Sequence, residues 1–336
     1  VPLSTSSSST HRVFDRLPAI DWGRRWGAAL AGFLLLLLLL EGSLRSQGIG
    51  PSQSDTTLLW VATRDRLTSG DVVLAGASKS QLGLHRQRIE EVTKKSTLQL
   101  SINGMVPWAM LGHLAFETDF NGLVLLSVTP YGLTEGFSIY MGDQSDHLRA
   151  WKRMAWSSPL ESWLRTRADG FLVTRRSGVS RRFLVPLGIG SNRGLPYLTM
   201  DTQRQMFADY SRRDAARFLA EGASKTVALA EDQQPSVGLF AAVREAVAQI
   251  RSRGGEVVLI RMPSSGAYRE AEALRFPREK FWNTFVAQVD APSIHFEDFP
   301  ALSRFFCPDG SHLDGKDSLA FTDAMLAILV EERWSR

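Results

Sequence analysis

The sequence predicts an α/β fold, a doubly wound five-stranded parallel sheet. Three observations carry that expectation. Short apolar runs, among them DVVLA at 71–75 and EVVLIR at 256–261, read as strands buried on both faces. Helical segments separate these runs, as in βαβ units. Gly76-Ala77-Ser78, Asn103-Gly104 and the turn at 129–131 each follow a strand end. In such sheets ligands sit outside the carboxyl ends of the strands, so three site elements share one rim.

Taken in order, residues 26–40 are uncharged and mostly apolar, ending in seven leucines. As a helix this run would span about 22 Å, against a bilayer core of about 30 Å, with Trp22, Trp26, Arg24 and Arg25 at its edge. Arg12, Arg16, Arg24 and Arg25 precede it and no Lys or Arg follows until Arg45, which sets the N-terminal side in the cytoplasm and the bulk of the chain outside it. A cleaved signal peptide has a similar apolar core. No clear small-x-small site follows Leu40, so an uncleaved single-pass anchor is the expectation. Residues 1–25 read as a disordered cytoplasmic tail and 41–57 as a linker, leaving 58–336 for the main domain.

Strand 71–75 leads into a helix over 81–95. Strand 97–102 stops at Asn103-Gly104 and is followed by a helix over 108–117. Strand 122–128 stops at Pro130. From about 131 to 235 the alternation is lost, and this stretch reads as a helical insertion, with helices near 146–165 and 201–230, that forms a lid or partner surface. The pattern resumes with a helix over 236–253, strand 256–261, a helix over 277–289, strand 293–296 and a closing helix over 316–332.

The 336 residues carry 39 Lys and Arg against 35 Asp and Glu, a net charge of +4. No stretch interleaves basic and aromatic residues, so no nucleic-acid partner is expected. Cys307 is the single cysteine, which excludes an internal disulfide and a CxxC pair. His295, Glu297 and Asp298 sit at adjacent positions where the two acids face different ways on a strand, so no metal site is expected there.

Chemistry concentrates in two segments. Gly76-Ala77-Ser78-Lys79-Ser80 places a serine at a strand-to-helix turn, and Asp309-Gly310-Ser311-His312 places an acid three residues before a histidine. A serine hydroxyl needs an imidazole to take its proton, and the imidazole needs a carboxylate to orient it. Asp309 can meet His312 at Nδ1, leaving Nε2 to face Ser78. Of the six histidines, only His312 has an acid at that spacing on a loop. Ser78 could instead cap its helix, with Ser80 as the nucleophile, and Asp314 and Asp317 are rivals to Asp309. Lys79 and Arg261 are candidate anion-binding residues at the rim.

These blocks resemble the SGNH/GDSL hydrolase superfamily. Gly76-Ala77-Ser78 matches its first block, Asn103-Gly104 its second and Asp309 with His312 its last. The resemblance implies a flavodoxin-like SGNH hydrolase fold, with Ser78 as nucleophile, His312 as base, Asp309 as its orienting acid, and the amides of Ser78 and Gly104 holding an oxyanion. Ala77 stands where the family has an acid. The third block, G-x-N-D, is absent, and Leu126-Ser127-Val128-Thr129-Pro130 stands there. Thr129 or Ser127 is the candidate substitute for the missing asparagine, the alternative being an oxyanion hole of two donors. With the anchor, the chain is similar to membrane-tethered SGNH proteins of polysaccharide O-acylation, such as the alginate acetylation proteins and the D-alanyl teichoic acid transfer protein. That similarity implies an acyltransferase or esterase acting on acetyl esters of a cell-surface polysaccharide, a membrane-bound O-acyltransferase as partner, and no metal or organic cofactor. The alternative is a non-catalytic assembly or binding module of the same fold.

Overall fold

The computed structural model describes residues 21–136, 141–179, 196–229, 231 and 233–334. The chain divides into two compact units, Val1–Gly48 and Ile49–Arg336.

The first unit contains one described element, α1 (Trp22–Ser46), a helix of 25 residues that is long and apolar enough to cross a membrane. A helix of that length measures about 38 Å. It begins four residues before the apolar run, because Asp21 accepts the Arg24 amide and caps it, and it extends through the first part of the expected linker. A membrane anchor and a signal sequence both fit this helix. Of the expected tail, residues 1–20 lie outside the described residues, and Trp22 to Arg25 are helical.

The second unit is the α/β domain. It opens with α2 (Thr57–Arg64), β1 (Val72–Ala75), α3 (Ser78–Gly83), α4 (Arg86–Thr93), β2 (Thr97–Gln99), β3 (Met105–Val106), α5 (Trp108–Phe116) and β4 (Leu123–Ser127). Then come β5 (Gly142–Asp143), α6 (Ser145–Lys152), α7 (Ser158–Phe171), β6 (Leu198–Met200), β7 (Met206–Ala208) and α8 (Ala215–Val227). The last third comprises α9 (Val237–Ser252), β8 (Glu256–Arg261), α10 (Gly266–Arg275), α11 (Thr284–Val289), β9 (Ser293–His295), α12 (Pro300–Ser303) and α13 (Ser318–Trp334).

Five strands form the parallel sheet, in the order β2-β1-β4-β8-β9. The chain reverses its direction of winding between β1 and β4, and that is where a crevice opens at the strand ends. Side chains alternate between faces, and both faces are covered. Val73, Ala75, Val124, Leu126, Val257 and Leu259 pack under α5, α9 and α11. Val72, Leu74, Leu123, Leu125, Val258 and Ile260 pack against α4, α12 and α13. This two-sided burial is why the strands read as unbroken apolar runs.

Several elements differ from expectation for local reasons. The helix over 81–95 is broken between α3 and α4, where His85 turns extended and its Nδ1 accepts the Arg88 amide. The helix over 277–289 opens with a π-helical turn, Glu279–Asn283. The insertion is not purely helical: β6 and β7 form an antiparallel hairpin, and β5 pairs with β3. Residues 201–214 are therefore hairpin and turn, and the helix expected over 201–230 begins only at Ala215, capped by Asp214.

Candidate active site

The turn after β1 is built for close approach. Gly76 has φ +153°, and a Cβ there would lie 2.9 Å from Ser127 Cβ and 3.0 Å from the Ser127 carbonyl oxygen. No side chain fits between the first turn of α3 and the end of β4. Ala77 then occupies the N-cap position with no side-chain bond, so Ser78 is the first helical residue and its hydroxyl is not engaged in capping.

That hydroxyl meets the D-x-x-H loop. Ser78 Oγ lies 2.7 Å from His312 Nε2, and His312 Nδ1 lies 2.9 Å from Asp309 Oδ2. Asp309 Oδ1 accepts the backbone amides of Ser311 and His312 at 2.9 and 2.8 Å, which fixes the carboxylate beside the ring. A carboxylate only accepts, so Nδ1 carries the proton and Nε2 presents a lone pair to Ser78. Gly310 makes the loop possible: its φ is +83°, and a Cβ would lie 2.5 Å from Tyr268 Cβ. Among the described residues no bond joins the rivals to His312. Asp314 Oδ2 accepts the Tyr210 amide, and the buried Ser80 Oγ has no partner among the described residues.

Burial alone would raise the Asp309 pKa. The bond and charge of His312, the Tyr210 hydroxyl and the Ser311 amide outweigh it and hold the carboxyl well below the usual range. Tyr210 is the member sequence reasoning missed. Its hydroxyl donates to Asp309 Oδ2 at 2.7 Å, on the same oxygen that faces His312. Burial, with Asp309 beside it, pushes its own pKa far up, so it remains a donor. It comes from the insertion, just after β7, and the Gly315 amide bonds to the Ala208 carbonyl at 2.7 Å in the same place. No sequence pattern links position 210 to 309; only the fold of the hairpin does.

The oxyanion side is more open. Among the described residues, the amides of Ser78 and Gly104 donate to no protein acceptor. Gly104 is exposed, with its carbonyl accepting the Gly142 amide and no heavy atom within 4 Å of a built Cβ. Thr129 follows β4, half-buried, and its hydroxyl donates to Met141 Sδ at 3.5 Å.

Lys79 and Arg261 require a correction. Neither stands open at the surface, and both are buried against Glu272 of α10. Arg261 Nη2 donates to Glu272 Oε2 at 2.7 Å, while Lys79 Nζ lies 3.9 Å from Glu272 Oε1 and donates to the Pro263 carbonyl at 3.2 Å. Burial lowers the Lys79 pKa, against the pull of Glu272. Burial would raise that of Glu272, but Arg261 and Lys79 together hold it low. Removing Glu272 would leave two buried cations uncompensated, so this cluster braces the ground below the serine turn.

His295 is neutral. Burial, followed by Arg261, Arg278 and Arg269, pushes its pKa down to about 2, and its Nδ1 accepts the Glu297 amide. Among the described residues no group of three His, Cys, Asp or Glu is placed to hold a metal ion.

No family model matches the chain, and no curated protein matches it. Solved structures align with it, among them these two. One is TesA, at 12% identity and a TM-score of 0.34, covering 77% of this chain and 98% of that one. The other is a candidate platelet activating factor from Streptococcus pneumonia, at 11% identity and a TM-score of 0.36, covering 90% of this chain and 99% of that one.

Proposed function

We propose that this protein is a membrane-anchored, extracytoplasmic serine acyltransferase or esterase of the SGNH type. The observation that carries the reading is the continuous bond path from Ser78 Oγ through His312 to Asp309 at the carboxyl ends of the sheet. In the proposed reaction His312 Nε2 takes the Ser78 proton as Oγ attacks the acyl carbonyl carbon. The carbonyl electron pair moves onto its oxygen, which the Ser78 and Gly104 amides receive. As that oxyanion collapses, the bond to the alcohol breaks and His312 passes its proton to the departing oxygen. Water or a sugar hydroxyl then attacks the acyl-serine by the same steps, returning the proton to Ser78. No metal or organic cofactor enters these steps.

The acetyl ester of a cell-surface polysaccharide is the proposed substrate, and a membrane-bound O-acyltransferase the proposed partner. Both follow from the similarity of the motif order and apolar N-terminal helix to the tethered SGNH proteins of polysaccharide O-acylation. The chemistry is tested by fluorophosphonate labelling of the full chain, with 4-nitrophenyl acetate as reporter ester. A Ser78 adduct, and loss of both labelling and cleavage in Ser78→Ala, is the expected outcome. Cleavage equal in Ser78→Ala and the unmodified chain, with no adduct, would leave the non-catalytic module as the reading.

A further inference from the structure

Helix α7 carries its amphipathicity inside out. Its inward positions are Ser162, Thr166 and Asp169, with Ser162 and Asp169 buried. Its outward positions are Leu160, Trp163, Leu164, Arg167 and Phe171, one stripe at helical spacing, and Trp156 stands 93% exposed just ahead of it. A helix at a water-facing surface has the reverse arrangement, so this stripe calls for an apolar covering. Residues 149–171 hold Arg149, Lys152, Arg153, Arg165 and Arg167 against Glu161 and Asp169. Arg149, Lys152 and Arg165 are paired with Asp146, Glu117 and Glu161, so the positive charge of this flank rests on Arg153 and Arg167. The Arg167 guanidinium lies over the Trp163 ring at 5.5 Å.

The inward face of α7 is stitched to the segment by which the chain leaves α1. Gln53 Nε2 donates to the Thr166 carbonyl at 2.9 Å, and Arg176, shortly after α7, donates to the Gly50 carbonyl at 2.8 Å. Gly50 and Gln53 are among the first residues of the larger unit after α1.

We propose that the outward face of α7, with Trp156, docks in the interface of a lipid bilayer bearing anionic headgroups. The inference rests on the reading of α1 as an anchor. Tryptophan at the headgroup level, leucine and phenylalanine below it and arginine on the flank are the composition that holds a helix in the plane of a membrane. Gln53 follows α1 by only seven residues and is bonded to α7, as its neighbour Ser52 is to Met200 of β6. A second copy or a protein partner fits less well, because the patch is flanked by like charge and its complement would have to be acidic and apolar together.

The test uses the full chain with a nitroxide attached at Leu160→Cys, Leu164→Cys or Phe171→Cys, and at Arg244→Cys on the exposed side of α9 as the aqueous reference. Cys307 does not interfere, since it is buried and its thiol is pushed up to about 12. Far-UV circular dichroism confirms that each variant folds. In vesicles of phosphatidylcholine mixed with phosphatidylglycerol, the three stripe labels should collide with oxygen more, and with a water-soluble nickel chelate several-fold less, than the reference label. Pure phosphatidylcholine should weaken the contrast. Flotation with the vesicles reports on α1 separately. A chain that floats with all labels equally aqueous overturns the inference alone, and one that does not float overturns the anchor reading with it. Protection from both reagents, with or without spin–spin broadening, means that protein covers the face and also overturns it. None of these readouts depends on Ser78, so the acyl-transfer reading stands or falls on its own experiment.

Discussion

Asp309→Asn is the perturbation with the most specific consequence. The carboxylate accepts four donors: two backbone amides on Oδ1, and His312 Nδ1 with the Tyr210 hydroxyl on Oδ2. The backbone amides cannot reverse, so the asparagine oxygen takes the Oδ1 position and its NH2 group faces His312. An NH2 group donates, which forces Nδ1 to accept and moves the imidazole proton to Nε2. Nε2 then donates to Ser78 Oγ and has no lone pair for the serine proton. The geometry survives while the base is lost. In serine acyl transfer a reversed tautomer lowers kcat by about 10⁴, or about 5.4 kcal/mol of transition-state stabilisation. The assay is kcat for 4-nitrophenyl acetate near pH 7, with circular dichroism to confirm the fold. Retention of more than a tenth of the wild-type kcat would refute the reasoning, because Asp309 would then be shown not to set the state of His312.

Three further outcomes follow from the same contacts. Tyr210→Phe removes one of four donors from a half-buried carboxylate and should lower stability by about 1–3 kcal/mol in urea unfolding, while leaving far more activity than Asp309→Asn, with the loss in kcat and not in KM. His295, held neutral with its pKa pushed down to about 2, takes a proton in the unfolded chain below about pH 6.5 but not in the folded one. Stability should therefore fall as pH drops from 7 to 5, by up to about 1.4 kcal/mol per unit from this residue, and His295→Asn, whose Oδ1 can still accept the Glu297 amide, should flatten the slope. Gly76→Ala forces a Cβ against Ser127 at a positive φ and should cost about 2–4 kcal/mol, seen as a lowered melting temperature and as loss of fluorophosphonate labelling at Ser78.

The sheet was legible because each of its strands is buried on both faces, so Val72–Ala75, Leu123–Ser127 and Glu256–Arg261 stand out as apolar runs. The Ser78, Asp309 and His312 positions were legible because two of them share one loop and the third follows a strand. Tyr210 was not, since the hairpin that delivers it has strands of three residues, too short to show alternation. Lys79 and Arg261 looked like rim cations because a linear reading cannot see Glu272, which reaches them from another helix. Arg204 is a similar case. Fully buried in the insertion, it bonds to the Gln99 and Ser101 carbonyls at the end of β2 and to Asp55. Its burial follows from three segments converging, and none of them announces it.

Ser78 and His312 are 234 residues apart in the chain, and the span between them includes every other strand of the sheet. In the proposed mechanism the serine is ordinary until the last loop arrives beside it. A chain emerging from a ribosome, or being threaded across a bilayer, carries Ser78 early and its base late. Contacts of such long separation form only once most of the fold is in place. On the proposed mechanism the hydroxyl would be switched on by completion of the domain itself, and a partly folded chain would hold a serine that cannot yet attack an acyl group.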